Sequence, residues 1–523
     1  MPTLNWLTRE EDVSTATRVP YRLLEGVHEL SSGKHDTGNM LIQGDNLEAL
    51  KALLPFYAGR VKCIYIDPPY NTRSAFEHYD DNLEHTKWLA MMWPRFELLR
   101  ELLAENGSIW VQLDDNEAHY VRVVLDELMG RKNFIADIAW QKSYAVRSNA
   151  EFVSSSIEHI FWYCKNRQQH FPNKVPRSEN QRSRFRNPDN DPRGPWQSIT
   201  FTISLMSGAR GRQFAKTGNS PNLYTVISPS GRLIDPPPGR CWARAKPGFE
   251  ALNADGRIWW GPKGDRVPRL KMFLSEADDG VLPTTLWSGG ADYGFNQDGV
   301  REVRTLGMSF PTPKPERLIH RILQISTNLG DLVLDSFLGS GTTAAVAHKM
   351  GRRYIGIEMG DQAVTHCAPR LQKVIKGEQG GISKSIGWKG GGGFRFFRLG
   401  PPAFDSEGRI QPSIEFDVLA AHIWFSETGM PWNGRGDSPL LGIHDGRALA
   451  LLYNGILRDK SPRGGNVLTR ATLSPIREAI AEAVQDFDGP LTVYGEQSRL
   501  ASSTLERERI VFKQTPYDIE ARA

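Results

Sequence analysis

Little in this sequence points to a specialised environment. Its four cysteines, Cys63, Cys164, Cys241 and Cys367, are widely spaced, with no C-x-x-C pair and no Cys/His cluster. Neither a disulfide framework nor a zinc site is indicated, and a reducing cytoplasm is the expected setting. No stretch approaches the roughly 18 apolar residues that a membrane span needs. The segment Met1 to Asp12 lacks the basic start and apolar core of an export signal, so the protein is expected to be neither exported nor membrane-spanning. Strong charge of one sign is missing too. A formal net charge of +4 over 523 residues argues for no partner, so the placement of the basic residues matters more than their sum. That placement is uneven: from Arg177 to Arg212, seven arginines stand against three acidic residues.

The length allows two to four domains. After an N-terminal arm (1–38), Asn39 to Asn46 reads as a short strand ending in a Gly-Asp turn, and Leu47 to Leu54 as a helix. Val61 to Ile66 is a strand, and the spacing of Leu89, Met92, Phe96, Leu99 and Leu103 predicts a helix from Trp88 to Ala104. A strand from Ser108 to Asp114 and a helix from Ala118 to Leu128 continue the alternation of a parallel α/β sheet. Near residue 140 the pattern gives way to a stretch rich in Gly, Pro, Arg and Trp, which predicts an inserted module over 141–309. The helix Glu316 to Thr327, strand Asp331 to Leu334, helix Thr342 to Met350 and strand Arg353 to Glu358 then resume the alternation. The sheet is therefore expected to be assembled from both sides of the insert, 39–140 and 310–378. Gly377 to Gly393 reads as a linker or tight-turn region. The remainder, 379–523, reads as a small α/β appendix, with strands at Leu491 to Tyr494 and Ile510 to Phe512 and a helix from Pro475 to Val484.

Two segments far apart in sequence read together as the halves of a methyl-transfer site. Asp67-Pro68-Pro69-Tyr70 closes one apolar strand, and the run Asp335 to Thr343 (DSFLGSGTT) closes another, both at carboxyl ends, where open α/β sheets place their chemistry. Gly339 and Gly341 let the backbone turn and approach a ligand, with Thr342 opening the following helix. The next strand ends at Glu358, placed for a carboxylate to accept both hydroxyls of a ribose, which implies a nucleoside cofactor. The full G-x-G-x-x-G pattern is missing, since Ala344 stands at its last position, and no G-x-x-x-x-G-K-[ST] loop exists. Nicotinamide and ATP sites are thus disfavoured. The Asp67 carboxylate and Pro68 carbonyl are suited to accept the N–H groups of an exocyclic amine, localising its lone pair, while Pro68 and Pro69 hold those acceptors rigid. Tyr70 offers a stacking face for an extruded base, and Phe337 a cation–π surface for a sulfonium methyl donor. No Ser, Cys or His nucleophile is required.

These residues resemble the β-class amino-methyltransferases of DNA, above all the modification subunits of type III restriction-modification systems. The likeness extends over Leu41 to Leu47, Asp67 to Thr72, Gly256 to Ile258, Pro268 to Lys271, Pro313-Lys314-Pro315-Glu316, Gly391 to Leu399 and Ile510 to Ile519, and so over nearly the whole chain. It implies a Rossmann-like fold dependent on S-adenosyl-L-methionine, with adenine N6 in double-stranded DNA as acceptor and a target-recognition domain in the insert. By position it sets Asp45 near the cofactor adenine, Lys314 and Pro315 near its methionine end, and Glu358 on the ribose, with Asp335, Phe337, Gly339, Gly341 and Thr342 forming the cofactor loop. A homodimer and a separate restriction partner with nuclease or helicase activity are what the same resemblance implies, for a cytoplasmic protein of prokaryotic or phage origin.

Plainer readings compete. Asp45 fits an N-cap of the Leu47 to Leu54 helix, Lys314 a solvated surface lysine, and the Arg177 to Arg212 arginines a solvated loop. Trp242, Trp259, Trp260 and Trp287 fit core positions better than base-stacking ones. The runner-up acceptor is cytosine N4, whose enzymes more often carry Ser at the Asp67 position. The alternative outside catalysis is a silent DNA-binding regulator, against which Asp67, Tyr70, Phe337 and Glu358 speak.

Overall fold

The computed structural model describes residues 3–34, 37–71, 85–145, 152–177, 179–205, 220–277, 280–404, 414–453, 456–457 and 465–515. The chain divides into two compact units, one of Met1–Asn173 with Thr284–Ala523, the other of Lys174–Pro283.

The first unit is built on one ten-stranded sheet. Its strands are β1 (Arg22–Gly33), β2 (Met40–Gln43), β3 (Val61–Ile66), β4 (Leu103–Leu113), β5 (Phe134–Gln141), β6 (Ile157–Cys164), β7 (Leu286–Trp287), β8 (Leu332–Asp335), β9 (Arg353–Glu358) and β10 (Gly393–Pro402). Their spatial order is β1-β10-β2-β9-β8-β3-β4-β6-β5-β7. The six strands from β10 to β4 run parallel, while β1 is antiparallel to β10, and β6 to both β4 and β5. The central strands are nearly continuous apolar runs because both faces are covered: β8 is buried along its whole length. The main helices are α1 (Asn46–Tyr57), α2 (His85–Leu102), α3 (Ala118–Leu125), α4 (Glu316–Ser326), α5 (Thr342–Lys349) and α6 (Ala368–Ile375). The predicted spacing on α2 holds for Leu89, Met92, Phe96 and Leu99, all buried, whereas the helix ends at Leu102 and Leu103 opens β4; Trp88 is buried with them. They share one core with Leu53, Ile64, Val111, Leu334 and Ile357.

The strand order positions the site. From β3 the chain passes through α2 to β4 on one side, and from β8 through α5 to β9 on the other. The connections diverge at the β3/β8 seam, where such sheets open a crevice beyond their carboxyl ends. Leu334 pairs with Ile64 across that seam, so the segments that follow, Asp335 onward and Asp67 onward, emerge side by side.

Several boundaries differ from the sequence expectation. The arm 1–38 contributes β1, which pairs with β10. The second unit, Lys174–Pro283, is narrower than the expected insert of 141–309. The apolar run Ile157–Cys164 joins the main sheet as β6, because burying it outweighs the loop-like composition around it. Of the two readings of Gly377 to Gly393, the tight turn is the one found: Gly390, Gly391 and Gly392 all take positive φ, and the Gly391 N–H donates to the Ile375 carbonyl at 2.8 Å. The chain beyond it first completes the main sheet as β10. It then forms a four-stranded sheet of Leu440–His444, Arg447–Leu451, Leu491–Gly495 and Ile510–Gln514 around its own apolar cluster. The helix expected at Pro475 begins at Arg470, because Thr469 caps it, and Pro475 lies inside it. Among the described residues no helix is long and apolar enough to cross a membrane.

The second unit holds a three-stranded antiparallel sheet, Ile258–Trp259, Arg269–Phe273 and Trp196–Thr200, and a core of Phe201, Trp242, Phe249 and Trp260. Trp242 and Trp260 are core residues there, as Trp287 is in the first unit, while Trp259 is half-buried beside Trp196. Arg193 is held by Asp191 and Asp255, whereas Arg182, Arg184 and Arg186 are exposed. Arg210 and Arg212 lie outside the described residues, as does Thr72 at the end of the aspartate-proline turn.

Candidate active site

A cavity of about 470 Å³ lies at the carboxyl ends of β3 and β8, within the size range of small-molecule sites. Asp67, Pro68, Pro69 and Tyr70 all line it. From the other half of the chain, so do Lys314, Asp335, Phe337, Gly339 and Thr342. The aspartate-proline turn is fixed from behind by Trp88, whose indole N–H donates to the Pro69 carbonyl at 2.7 Å. Asn71 leaves the turn in the left-handed region, φ 58°, and its side-chain amide donates to Glu117 at 2.7 Å.

Four expected residues do not line the cavity. Asp45 caps α1, accepting the Leu47 and Glu48 N–H groups at 2.8 and 3.3 Å, and pairs with Arg95 at 3.0 Å. Pro315 is the N-cap residue of α4. Gly341 is the N-cap of α5 at φ 81°, where a Cβ would come within 3.2 Å of the Cys367 Cα. Glu358 is buried, and its carboxylate accepts the Gly339 N–H at 2.7 Å and the Gly360 N–H at 3.3 Å. It thereby holds the glycine loop against the end of β9.

Lys314 is neither solvated nor aimed away from the catalytic turn. Its ammonium donates to Asp67 Oδ2 at 2.5 Å, lies 3.8 Å from Glu158 Oε2, and sits 5.1 Å from the centre of the Tyr70 ring. The backbone around it is tied to the cofactor loop, because the Thr342 hydroxyl donates to the Lys314 carbonyl at 3.2 Å and accepts from Arg370 at 2.8 Å. Glu316, fully enclosed, pairs with Arg370 and Lys349 at 3.0 and 2.7 Å. This buried cluster locks the Pro313 to Glu316 segment to α5 and α6.

Sequence reasoning missed Glu158, Gln112 and Lys142. Glu158 is 3% exposed on β6, and its Oε2 lies 2.6 Å from Gln112 Nε2 and 3.0 Å from the Tyr70 hydroxyl. Lys142 is 3.5 Å away. Tyr70 also reaches Asp67 Oδ1 at 2.5 Å, so its single proton serves two carboxylates. A signal existed: apart from Glu158 and His159 the run Ile157 to Cys164 is apolar, and a carboxylate in such a strand is buried only with partners.

The charges follow from burial and neighbours. Burial pushes the Asp67 pKa up, and Glu158 adds to the rise, while Lys314 and Tyr70 restrain it. For Lys314 burial favours the neutral amine, but Asp67 and Glu158 outweigh it and its pKa is raised. For Glu158 burial is again opposed and outweighed, by Lys314 and Lys142, and its pKa is lowered. Asp335, enclosed at the end of β8, is pushed up to about 7 by burial despite the Phe337 N–H it accepts at 2.9 Å. A second cavity of about 580 Å³ shares Lys142, Ser155 and Asn296 with the first and carries Arg301 and Arg304.

A parallel sheet with an aspartate-proline turn and a glycine loop at the ends of adjacent central strands defines a Rossmann-like methyltransferase fold. The chain belongs to the DNA methylase family, which matches residues 61–368. It is 32% identical over 409 residues to a probable type III restriction-modification enzyme HindVI Mod subunit of Haemophilus influenzae, covering 69% of this chain and 54% of that one. Over 348 residues it is 28% identical to the StyLTI Mod subunit of Salmonella typhimurium, covering 61% and 51%. The EcoP15I Mod subunit of Escherichia coli is 32% identical over 408 residues, covering 67% and 62%. The chain thus spans little more than half the length of the first of these relatives. Among solved structures, the cytosine-N4-specific PvuII DNA methyltransferase aligns with 67% of this chain and 90% of its own, at 15% identity and a TM-score of 0.34.

Proposed function

We propose that the protein transfers a methyl group from S-adenosyl-L-methionine to the N6 amine of an adenine drawn out of double-stranded DNA, as the modification component of a restriction-modification system. The observation that carries this reading is the meeting of Asp67 and Tyr70 with Asp335, Phe337 and Gly339 around one cavity. The residues present fit the donor. Gly339 turns the loop at φ 55°, a left-handed conformation that favours glycine, and a Cβ there would touch the Phe310 ring at 3.4 Å. Phe310 and Phe337 offer aromatic faces to a cationic sulfonium, and Asp335 offers a carboxylate. When bound, S-adenosylmethionine supplies an electrophilic methyl group held for in-line attack.

The chain's own residues then act on the acceptor. Asp67 and the Pro68 carbonyl take the amine N–H groups and draw the nitrogen toward tetrahedral geometry. The raised pKa of Asp67 suits it to receive the proton that the methylated amine releases. Tyr70 stacks on the base, offsetting part of the stacking lost from the duplex. Asp at position 67, rather than Ser, favours adenine over cytosine.

The basic second cavity beside the first supports a polyanionic substrate. The Lys174–Pro283 unit, with exposed Arg182, Arg184 and Arg186, is assigned to target recognition. Its relatives' designation as subunits of type III enzymes supports a separate nuclease or helicase partner, and the family resemblance supports two copies of this chain working in the cytoplasm of a prokaryote or phage-infected cell. The test is incubation with unmethylated duplex DNA and methyl-labelled S-adenosylmethionine, followed by nucleoside chromatography. Label in N6-methyladenosine is expected; label in N4-methylcytidine moves the acceptor, and none in any base from DNA of high sequence complexity defeats the reading.

A further inference from the structure

Lys314 stands where the substrate must go. Its ammonium takes Asp67 Oδ2, one of the acceptors the amine requires, and lies near the ring of Tyr70, the face on which the base is to stack. Glu158 waits on its other side. At 3.8 Å the Lys314 to Glu158 contact is too long for a charge-assisted hydrogen bond, and a shift of about 1 Å would make it one. Two carboxylates, the half-buried Asp67 and the buried Glu158, are thus shared between two lysines, Lys314 and Lys142, in a set that is balanced in charge.

We propose that Glu158 is a positioning residue that receives the Lys314 ammonium when the target amine displaces it from Asp67. This rests on the methyltransferase reading and adds to it an order of events: Lys314 yields, the amine binds Asp67, and Lys314 is held by Glu158 through the reaction. The need is electrostatic. As the nitrogen lone pair forms the new C–N bond and the C–S pair stays with sulfur, positive charge passes to the amine nitrogen, until one proton leaves it for Asp67. An ammonium left on Asp67 would oppose that charge at short range, in a site of low dielectric. Glu158 is suited to hold it because its carboxylate is already fixed by Gln112 and Tyr70, so it need not reorganise.

The experiment compares wild-type enzyme, Glu158→Gln, Lys314→Met and the double variant in methyl transfer to unmethylated DNA, with S-adenosylmethionine affinity and thermal midpoint measured alongside. Glu158→Gln is expected to lower kcat at least tenfold, with S-adenosylmethionine affinity kept. The double variant is expected to recover at least threefold in kcat over Glu158→Gln, because the unheld charge is gone; a merely structural glutamate would show its relief in the thermal midpoint and not in kcat. Lys314→Met alone, which removes the competitor for Asp67, is expected to lower the KM for DNA, and decides the matter should Glu158→Gln fail to fold. Glu158→Gln turning over like wild type, a double variant no faster than Glu158→Gln, or a raised DNA KM in Lys314→Met overturns the proposal while leaving the methyltransferase reading intact. A wild-type protein that methylates no base overturns both.

Discussion

The Lys314 ammonium lies 2.5 Å from the Asp67 carboxylate although 247 positions separate the two in sequence. That contact joins the catalytic turn after β3 to the segment that enters the cofactor half of the sheet. It also places a buried cation beside an aspartate whose ionisation burial disfavours.

Asp67→Ala should abolish methyl transfer, by three orders of magnitude or more, while S-adenosylmethionine binding stays within a few-fold of wild type. Lys314 would still have Glu158 as a partner, so folding is expected to survive. Labelled transfer and equilibrium cofactor binding check both halves; unchanged turnover would remove Asp67 from the mechanism.

Tyr70→Phe keeps the ring but deletes the hydroxyl that spans Asp67 and Glu158. Hydrogen bonds to charged groups contribute about 1.5–3 kcal/mol, so a fall in kcat of about tenfold to a hundredfold is expected, with DNA affinity nearly unchanged. Tyr70→Ala should weaken DNA binding as well, because the stacking face is lost. Steady-state kinetics on both variants distinguishes the roles, and equal DNA affinities would count against stacking.

Glu316→Gln should destabilise the fold by up to about 3–5 kcal/mol, since it leaves Arg370 buried without its carboxylate and Lys349 with Glu378 alone. Burial raises the Glu316 pKa, but Lys349 and Arg370 outweigh it and the folded value lies below the ordinary 4.5. The glutamate's contribution is therefore complete above pH 4.5 and is lost as pH falls through the folded value. Chemical denaturation at pH 7 and at pH 4 or below should show the gap between variant and wild type narrowing on acidification; a gap independent of pH would argue against ionised Glu316 as its source.

Arg301→Ala and Arg304→Ala, on the rim of the second cavity, should weaken DNA binding without changing cofactor affinity. If each arginine meets one phosphate, the slope of log affinity against log salt should fall by about 0.9 per substitution. Titrations at several salt concentrations measure this, and an unchanged slope would take the DNA backbone away from this cavity.

Much of the fold was legible because it rests on local patterns. The apolar runs at β3, β8 and β9, the helical spacing on α2 and the turn chemistry of Asp67 to Tyr70 and of the glycine loop each carry their own signal. Together they determined that the sheet is assembled from two distant segments with its chemistry at their carboxyl ends. What no local pattern holds is pairing. The arm that becomes β1 and the turn region that leads into β10 depend on partners more than 350 residues away, and the strand β6 was hidden in loop-like surroundings until its neighbours buried it. The same holds at the site. Whether Lys314 faces solvent, cofactor or Asp67, whether Glu358 meets a ligand or the Gly339 amide, and what Glu158 is for in a largely apolar strand are electrostatic questions. Their answers depend on which charges the fold brings within a few ångströms, and only the tertiary structure decides that.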